Sequence, residues 1–355
     1  MIRVLLSGIR NDTVELHLVR ALRESGIHVL VIDHPASPAV EWCRAEGVPH
    51  CEHSFKNRFD RRAVALYRDI LRGHEVDIIH CLTNRALSTA LLAIRNQSNY
   101  SKIVAYRGTA GHLHRWDPAS RLSYLSPRVN CIICVSDAVR RYLKGMGIPD
   151  PRLEVIWEGH DPIWYSPASR ESFSELGIPP NAVVVGFVGN IRPVKGVGYL
   201  LRAFDEIDAQ ENIHLVVIGE VRDPYIAQQT GHNPNVHFMG YRSDAAHLSG
   251  ACDIAIMSSV DREGLPKAVI EAMAQGVPPV VTGVGGLPEL VEDGICGLVV
   301  PPGDATALCA ADRKLAQDAD LRRRMGIAAR ARIEGTFHFR HTVAKTIALY
   351  QRLLV

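Results

Sequence analysis

The chain has 355 residues, of which 47% are hydrophobic and 22% charged, and its formal net charge is +2. This length exceeds what one hydrophobic core normally supports, so two domains are expected, and the composition excludes an intrinsically disordered chain. No run reaches the roughly 18 apolar residues that a helix needs to span a bilayer, which excludes an integral membrane class.

Short apolar runs and amphipathic segments alternate through the first half of the chain. The runs are typical of buried parallel strands, and the segments between them have a helical period. This alternation predicts a doubly wound α/β domain over residues 1–165. The predicted strands are residues 2–7, 29–32, 76–80, 102–106, 131–135 and 153–156, and the predicted helices include residues 14–24, 61–72 and 137–144.

Residues 56–72 form a basic segment with interleaved aromatic side chains, such as Lys56, Phe59 and Tyr67. Residues 1–170 hold 23 basic against 17 acidic side chains, whereas residues 171–355 hold 17 against 21. A basic, aromatic surface suits an anionic membrane or a lipid-linked acceptor, so peripheral contact with the inner face of the cytoplasmic membrane is one interpretation. A solvated helix face is the alternative, and no nucleic-acid motif accompanies the segment.

Two cysteines, Cys131 and Cys134, stand three residues apart inside a predicted strand. Side chains at that spacing point to opposite faces of a strand, which is poor geometry for zinc or a redox pair. We therefore interpret both as core thiols. The eight cysteines of the chain lack the dense spacing of a secreted disulfide scaffold, which favours a reduced, cytoplasmic setting.

The alternation restarts after residues 158–180, a segment that contains prolines and no apolar period. Two doubly wound domains that face each other are therefore predicted, residues 1–165 and 166–340. The last helix, residues 341–355, lies beyond the second sheet, which allows it to return and pack on the first domain. The predicted strands are residues 182–188, 214–218, 236–239, 254–257, 277–281 and 297–300, and the predicted helices are residues 198–208, 266–275, 288–292 and 305–335.

A glycine-bearing loop that follows the strand 182–188 contains two cations, Arg192 and Lys195. A strand that runs into such a loop and a helix start is a usual place to bind phosphate. The guanidinium of Arg192 offers a planar fork for phosphate oxygens, and Lys195 offers a point charge. The order of residues is not that of a Walker A loop. Solvent-facing cations are the alternative interpretation.

Two carboxylates flank the start of a predicted helix. Glu263 precedes Pro266, which suits a first helical position, and Glu271 lies about one and a half turns into the helix. Acidic acceptors near free helix amides could hold hydroxyls and phosphates of one ligand. Gly286 follows the next strand and lets the backbone approach a ligand. Because loops at the carboxyl ends of strands share one crevice, these residues are expected to converge with Arg192 and Lys195.

The stretches GNIRPVKG at residues 189–196 and SSVDREGLPKAVIEAMAQGVPPVVTGVGGLPELVEDGICGLVVPPGD at residues 258–304 strongly resemble glycosyltransferase family 4, the retaining nucleotide-sugar enzymes of GT-B fold. Weaker resemblance extends to residues 134–143 and 158–162. The resemblance implies that Glu271 bonds the donor ribose, and that Glu263 with the backbone of Gly264 and Leu265 reads sugar hydroxyls. It also implies that Arg192 and Lys195 grip the diphosphate.

The first domain departs from the family pattern. Family members often carry two glycines after the first strand, where this chain has only Gly8 to support close backbone approach to donor or acceptor. Many members carry His-Gly after the fourth strand, where this chain has Arg107 before a glycine, and His112 five residues later. Either side chain is a candidate to orient the sugar or the acceptor. An exposed loop histidine is the alternative for His112.

The resemblance predicts a cytoplasmic, retaining glycosyltransferase that moves a hexose or N-acetylhexosamine from a UDP- or GDP-sugar to a glycan or lipid-linked acceptor of the cell envelope. No cofactor or metal is expected, because fixed cations can stabilise the leaving diphosphate. The acidic pair Asp318 and Asp320 falls in a C-terminal helical region and is interpreted as surface. The alternatives are a nucleotide-sugar epimerase of the same fold and a non-catalytic nucleotide-sugar-binding protein. No GxGxxG motif supports an oxidoreductase.

Overall fold

The structure is a computed structural model that describes residues 1–9, 13–95, 101–166, 169–229 and 233–355. Its contacts divide the chain into two compact units. The first unit is Met1–Glu158 together with Phe339–Val355, and the second unit is Gly159–His338.

The first unit is built on a seven-stranded sheet in the order β3-β2-β1-β4-β5-β6-β7, in which every described strand pairing is parallel. In chain order its elements are β1 (Arg3–Ser7), α1 (Thr13–Glu24), β2 (His28–Asp33), α2 (Pro38–Ala45), β3 (His50–Glu52), α3 (Arg61–Gly73), β4 (Ile78–Cys81), α4 (Asn84–Ala93), β5 (Lys102–Arg107), α5 (Pro118–Arg121), β6 (Cys131–Cys134), α6 (Asp137–Gly145), β7 (Leu153–Val155) and, at the end of the chain, α14 (Phe339–Leu354).

The second unit is built on a six-stranded sheet in the order β10-β9-β8-β11-β12-β13, and its described strand pairings are also parallel. Its elements are β8 (Val183–Val188), α7 (Val197–Asp205), β9 (Ile213–Ile218), α8 (Pro224–Gln229), β10 (Val236–Gly240), α9 (Ala245–Ser249), β11 (Ile254–Met257), α10 (Lys267–Ala274), β12 (Pro279–Thr282), α11 (Leu287–Leu290), β13 (Leu298–Val300), α12 (Ala305–Gln317) and α13 (Ala319–Gly335).

The predicted fold class, two parallel α/β sheets of the doubly wound kind, is confirmed. Two details of the prediction are wrong. The predicted helix over residues 305–335 is two helices, because Asp318 adopts an extended conformation (φ −120°, ψ 91°) and caps α13 by accepting from the Leu321 amide at 2.8 Å. Pro266 is the N-cap of α10 and not its first residue, since its ψ of 117° is extended.

Helix α14 packs against α1 within the first unit and completes its core. Leu349 and Tyr350 are buried among the apolar side chains of β1, β2 and β4. A hydrogen bond of 2.7 Å joins the Tyr350 hydroxyl to Nδ1 of His80 on β4. Burial lowers the pKa of His80 to about 3, so its ring is neutral. The last helix of the chain is therefore a structural part of the first unit.

Cys131 and Cys134 are both buried on β6, and each of the eight cysteines is a free thiol. Burial raises the pKa of Cys131 and of Cys134 to about 12, which keeps both protonated. Within the described ranges, no helix combines the length and the apolarity that crossing a membrane requires.

Candidate functional site

The loop after β8 is held against the segment after β11. The hydroxyl of Ser258 donates to the Lys195 carbonyl at 3.0 Å, and the Val260 amide donates to the Val194 carbonyl at 3.0 Å. Gly196, at φ +65°, allows this approach, because a Cβ there would collide with the Ser258 carbonyl. The local geometry therefore fixes the backbone position of Lys195.

The ammonium of Lys195 is ion-paired with the Glu263 carboxylate. Both side chains are nearly buried, at 14% and 10% exposure. The Ser259 hydroxyl donates to the same Glu263 oxygen at 2.5 Å, and the Thr282 hydroxyl donates to the Ser259 carbonyl at 2.5 Å. Ser259 and Thr282 are not among the residues selected from the sequence, although both lie inside the stretch that resembles the family. This chain of contacts joins the ends of β8, β11 and β12.

Arg192 lies on the same loop as Lys195 but differs from it in its surroundings. Its side chain is exposed, and no hydrogen bond or ion pair engages it among the described residues. A guanidinium in water with five unused donors can take up an anion without first breaking a protein contact. The loop thus offers one engaged and one unengaged cation.

Glu271 lies in the second turn of α10, where it is partly buried. Burial raises the pKa of its carboxyl, and the positive charge of Lys267 partly opposes this. Gly264 and Leu265, between Glu263 and the helix start, are buried. Glu263 and Glu271 therefore lie on one continuous segment, one before the helix and one within it.

The glycine loop after β12 contacts the Glu263 segment through Gly285. Gly285 has φ +58°, and a Cβ there would collide with the Glu263 carbonyl. Gly286, the residue predicted from the sequence, is buried and forms the N-cap of the short helix α11. Gly285, and not the predicted Gly286, therefore makes the close backbone approach.

These second-unit residues all follow the carboxyl ends of β8, β11 and β12, which are neighbours in the sheet. This is the edge at which doubly wound sheets bind ligands. The structure brings together Lys195, Glu263 and the loop of Gly285, and it places Arg192 and Glu271 on the elements that lead into them. The arrangement can bind an anion with its cations and ligand hydroxyls with its carboxylates.

The candidates in the first unit have different surroundings. Gly8 follows β1 at φ +71°, and a Cβ there would collide with the side chains of Thr83 and Ala86. Arg107 is buried and donates to the carbonyls of Thr109, at 2.9 Å, and Gly111, so its guanidinium shapes its own loop. Tyr124 stacks against it, 4.9 Å from the ring centroid.

His112 is exposed on that loop and has φ +61°. Arg262, directly before Glu263, has φ +60°. A left-handed conformation is uncommon for residues other than glycine and occurs often at functional sites. His112 is itself a candidate named from the sequence, and Arg262 directly precedes the candidate Glu263.

The acidic pair that could suggest a metal lies at the start of α13. Asp318 caps α13, and Asp320 is ion-paired with Arg323 at 3.0 Å in the same helix. In the part of the chain that the structure describes, no group of three or more His, Cys, Asp and Glu side chains is placed to bind a metal ion.

Two family models match successive parts of the chain. The model described as Glycosyltransferase Family 4 matches residues 13–164, and the model described as Glycosyl transferases group 1 matches residues 168–332. The first match falls mainly within the first unit, and the second falls within the second unit.

Named relatives match part of the chain. The D-inositol 3-phosphate glycosyltransferase of Corynebacterium glutamicum (strain R) is 33% identical over 220 residues, which cover 57% of this chain and 52% of that protein. The N-acetyl-alpha-D-glucosaminyl L-malate synthase of Bacillus anthracis is 28% identical over 184 residues, covering 51% and 48%. The matches thus span about half the length of these relatives.

The fold has close counterparts among solved structures. The crystal structure of Anabaena Alr3699/HepE in complex with UDP aligns with a TM-score of 0.79 at 22% identity, covering 99% of this chain and 100% of that one. The same Anabaena protein has also been solved with UDP-glucose, and that structure aligns with a TM-score of 0.78. At this identity the likeness shows a common fold.

Proposed function

The chain belongs to the family 4 glycosyltransferases of GT-B fold, and we propose that it transfers a hexose or N-acetylhexosamine from a UDP- or GDP-sugar with retention of anomeric configuration. The observation that carries this proposal is the Lys195–Glu263 ion pair, which lies beside the unengaged Arg192 at the carboxyl edge of the second sheet. Two cations and a carboxylate that can accept from hydroxyls therefore lie close together at this edge.

The donor diphosphate is assigned to the two cations. Its negative charge grows as the bond to the sugar breaks, so Arg192 and Lys195 stabilise the transition state more than the ground state. Arg192 is free to move onto the phosphates, whereas Lys195 is already held by Glu263. UDP is the first nucleotide to test, because the Anabaena structures contain UDP and UDP-glucose.

The donor hydroxyls are assigned to the two carboxylates. Glu271 binds the ribose, and Glu263 together with the backbone of Gly264 and Leu265 binds the sugar. The ion pair sets the orientation of Glu263 and leaves its second oxygen for a sugar hydroxyl. Ser259 supports this orientation from the other side. Oε1 of Glu263 thus contacts Lys195 and Ser259, and Oε2 is assigned to the sugar.

Retention follows from a displacement on one face of the sugar. The bond between the anomeric carbon and the leaving phosphate oxygen breaks, the acceptor oxygen bonds to that carbon, and the acceptor proton passes to the leaving phosphate. This route needs no carboxylate nucleophile and no metal, since cations of the protein balance the leaving charge. Arg107 and His112 are assigned supporting roles toward the sugar or acceptor.

The acceptor is assigned to the first unit, as a glycan or a lipid-linked molecule. Phe59 and Trp116 are 57% and 79% exposed, and Arg121 stacks over the Trp116 ring at 5.2 Å. Hydrogen bonds from Ser120, together with the nearby charge of Arg58, lower the pKa of Asp117. The loops of Phe59 and Trp116 are therefore neighbours. Exposed aromatic and basic side chains together support peripheral contact with an anionic membrane.

The test is a donor-binding and transfer assay on three variants. Lys195→Ala and Glu271→Ala should abolish stabilisation by UDP and the release of UDP from UDP-sugar, whereas Lys314→Ala, an exposed cation of α12, should leave both unchanged. Retained transfer in both site variants would refute the proposal. Turnover of donor without an acceptor to an isomeric nucleotide-sugar would instead indicate an epimerase, and donor binding without turnover would indicate a binding protein.

A further inference from the structure

The Lys195 ammonium depends on Glu263 for its counter-charge. Its side chain is 14% exposed, and within the described ranges its one ion pair is that with Glu263. The other contact of the ammonium is weak, at 3.9 Å from the sulfur of Met257. A nearly buried ammonium that has lost most of its water needs an anion beside it. Another anion of greater charge could therefore compete with Glu263 for Lys195.

The Glu263 carboxylate, in contrast, has a second tether. Ser259, whose side chain is buried, donates its hydroxyl to the same Oε1 at 2.5 Å. The Ser259 carbonyl in turn accepts from the buried Thr282 hydroxyl at 2.5 Å. The Glu263 backbone is held separately, by the close approach of Gly285. The carboxylate can therefore keep its place when Lys195 turns to another anion.

The donor diphosphate is such an anion, since it carries more negative charge than a single carboxylate. Arg192, on the same loop as Lys195, is exposed and can bind it without giving up a protein contact. Glu263 opposes the diphosphate in two ways, because its charge repels the phosphates and because it occupies Lys195. The ion pair thus weakens diphosphate binding for as long as it stays closed.

We propose that the Lys195–Glu263 pair is an autoinhibitory contact, which the donor diphosphate opens by drawing the Lys195 ammonium onto its oxygens while Ser259 keeps the Glu263 carboxylate in place. This inference rests on the proposed transferase function and adds an order of events within the same site. Opening the pair leaves Oε1 of Glu263 with one donor instead of two, so the carboxylate becomes a stronger acceptor for a sugar hydroxyl. Diphosphate and sugar therefore bind cooperatively.

The first experiment is calorimetric titration of the full chain with UDP and, in parallel, with GDP. Glu263→Gln removes the competing charge and retains a side chain of the same shape. This variant should bind the nucleoside diphosphate about tenfold more tightly than the wild type, as expected when one charge-assisted contact no longer has to be broken. Unchanged or weaker binding would overturn the proposal, because Glu263 would then not compete with the diphosphate.

Asp261→Asn is the matched control. Asp261 lies two residues before Glu263, is 61% exposed and is ion-paired with Arg262 at 2.7 Å. The substitution removes the same charge from the same segment without releasing Lys195, so the Kd should stay close to that of the wild type. An equal gain in affinity in both variants would also overturn the proposal, since a general loss of negative charge would then explain it.

The second experiment is a crystal structure of the wild-type chain with the nucleoside diphosphate that it binds. The Lys195 ammonium should lie beyond about 4 Å from both Glu263 oxygens, outside ion-pair distance. The Ser259 hydroxyl should remain hydrogen-bonded to Glu263. A pair that stays closed beside the bound diphosphate would refute the autoinhibitory contact. This measurement decides the proposal even if Glu263→Gln fails to fold.

The two experiments separate this inference from the proposed function. If the wild-type chain binds neither UDP nor GDP, both fail. If it binds one of them and the Lys195–Glu263 pair stays closed, only the autoinhibitory contact fails and the transferase proposal stands.

Discussion

A Cβ atom on Gly285 would collide with the backbone carbonyl of Glu263. The two residues lie on loops that follow neighbouring strands, β12 and β11, and Gly285 adopts φ +58°. The position of the Glu263 backbone therefore depends on the absence of a side chain at Gly285. The same Glu263 pairs through its carboxylate with Lys195.

Gly285→Ala should displace the Glu263 segment, raise the Kd for UDP at least tenfold and lower Tm by several degrees, because alanine is strained at this φ and clashes with the carbonyl. Calorimetry with and without UDP measures both effects. Gly283→Ala is the matched control in the same loop, since its Cβ would meet its nearest neighbour at 3.7 Å, an ordinary contact. Equal behaviour of the two variants would contradict the prediction.

The Lys195–Glu263 pair should show strong coupling in a double-mutant cycle. Each single variant, Lys195→Met or Glu263→Gln, leaves a nearly buried charge unpaired and should lower the free energy of unfolding by about 3 kcal/mol. The double variant should recover about 1–3 kcal/mol of the summed loss. Urea denaturation of the four proteins gives these values. Strict additivity would show that the pair is not formed in solution.

Asp312, on α12, should make the stability of the second unit depend on pH. The side chain is fully buried, neither carboxylate oxygen has a partner in the described structure, and burial raises its pKa well above the usual value. The folded chain therefore holds this carboxyl proton to a higher pH than the unfolded chain does. Its contribution to stability is complete below the unfolded pKa of about 3.9 and is lost as pH rises toward the folded pKa.

Asp312→Asn should consequently raise the free energy of unfolding more at pH 8 than at pH 5. The difference between the two pH values should be on the order of 1–3 kcal/mol. Urea titrations at the two pH values measure this difference. Asp320→Asn, an exposed acid of α13, should show no comparable change. A stabilisation by Asp312→Asn that is equal at both pH values would show that the wild-type carboxyl does not titrate differently on folding.

Tyr350→Phe should destabilise the first unit by about 1–2 kcal/mol, because Nδ1 of the buried His80 loses its hydrogen bond of 2.7 Å. Thermal unfolding followed by calorimetry reports the change. Tyr225→Phe, which removes a hydroxyl from an exposed tyrosine, is the control. Equal Tm values for the two variants would mean that the hydrogen bond contributes nothing to stability.

Most strands could be predicted because parallel strands buried on both faces appear as apolar runs, as in Val183–Val188. The edge strand His50–Glu52 could not, since its three residues, His, Cys and Glu, carry no such signal. Helix α4 is not among the helical segments named from the sequence, although Thr83 caps it. The break at Asp318 lies within an amphipathic stretch and depends on a capping hydrogen bond.

The candidate site was predictable only as far as sheet topology allows. Loops that follow neighbouring strands must meet, so the grouping of Lys195 with Glu263 follows from the fold class. Which cation pairs with Glu263 depends on side-chain geometry, and the sequence does not distinguish Lys195 from Arg192.

The place of α14 has a consequence for synthesis on the ribosome. The first unit needs this helix to cover its core, yet all of Gly159–His338 is translated in between. At ~5–20 residues per second, the nascent first unit waits roughly 10 to 40 s with the surface around His80 and its apolar neighbours uncovered. The second unit, whose residues are contiguous, is completed first. Translation of the first unit thus begins first, but the second unit is the first to reach its final form.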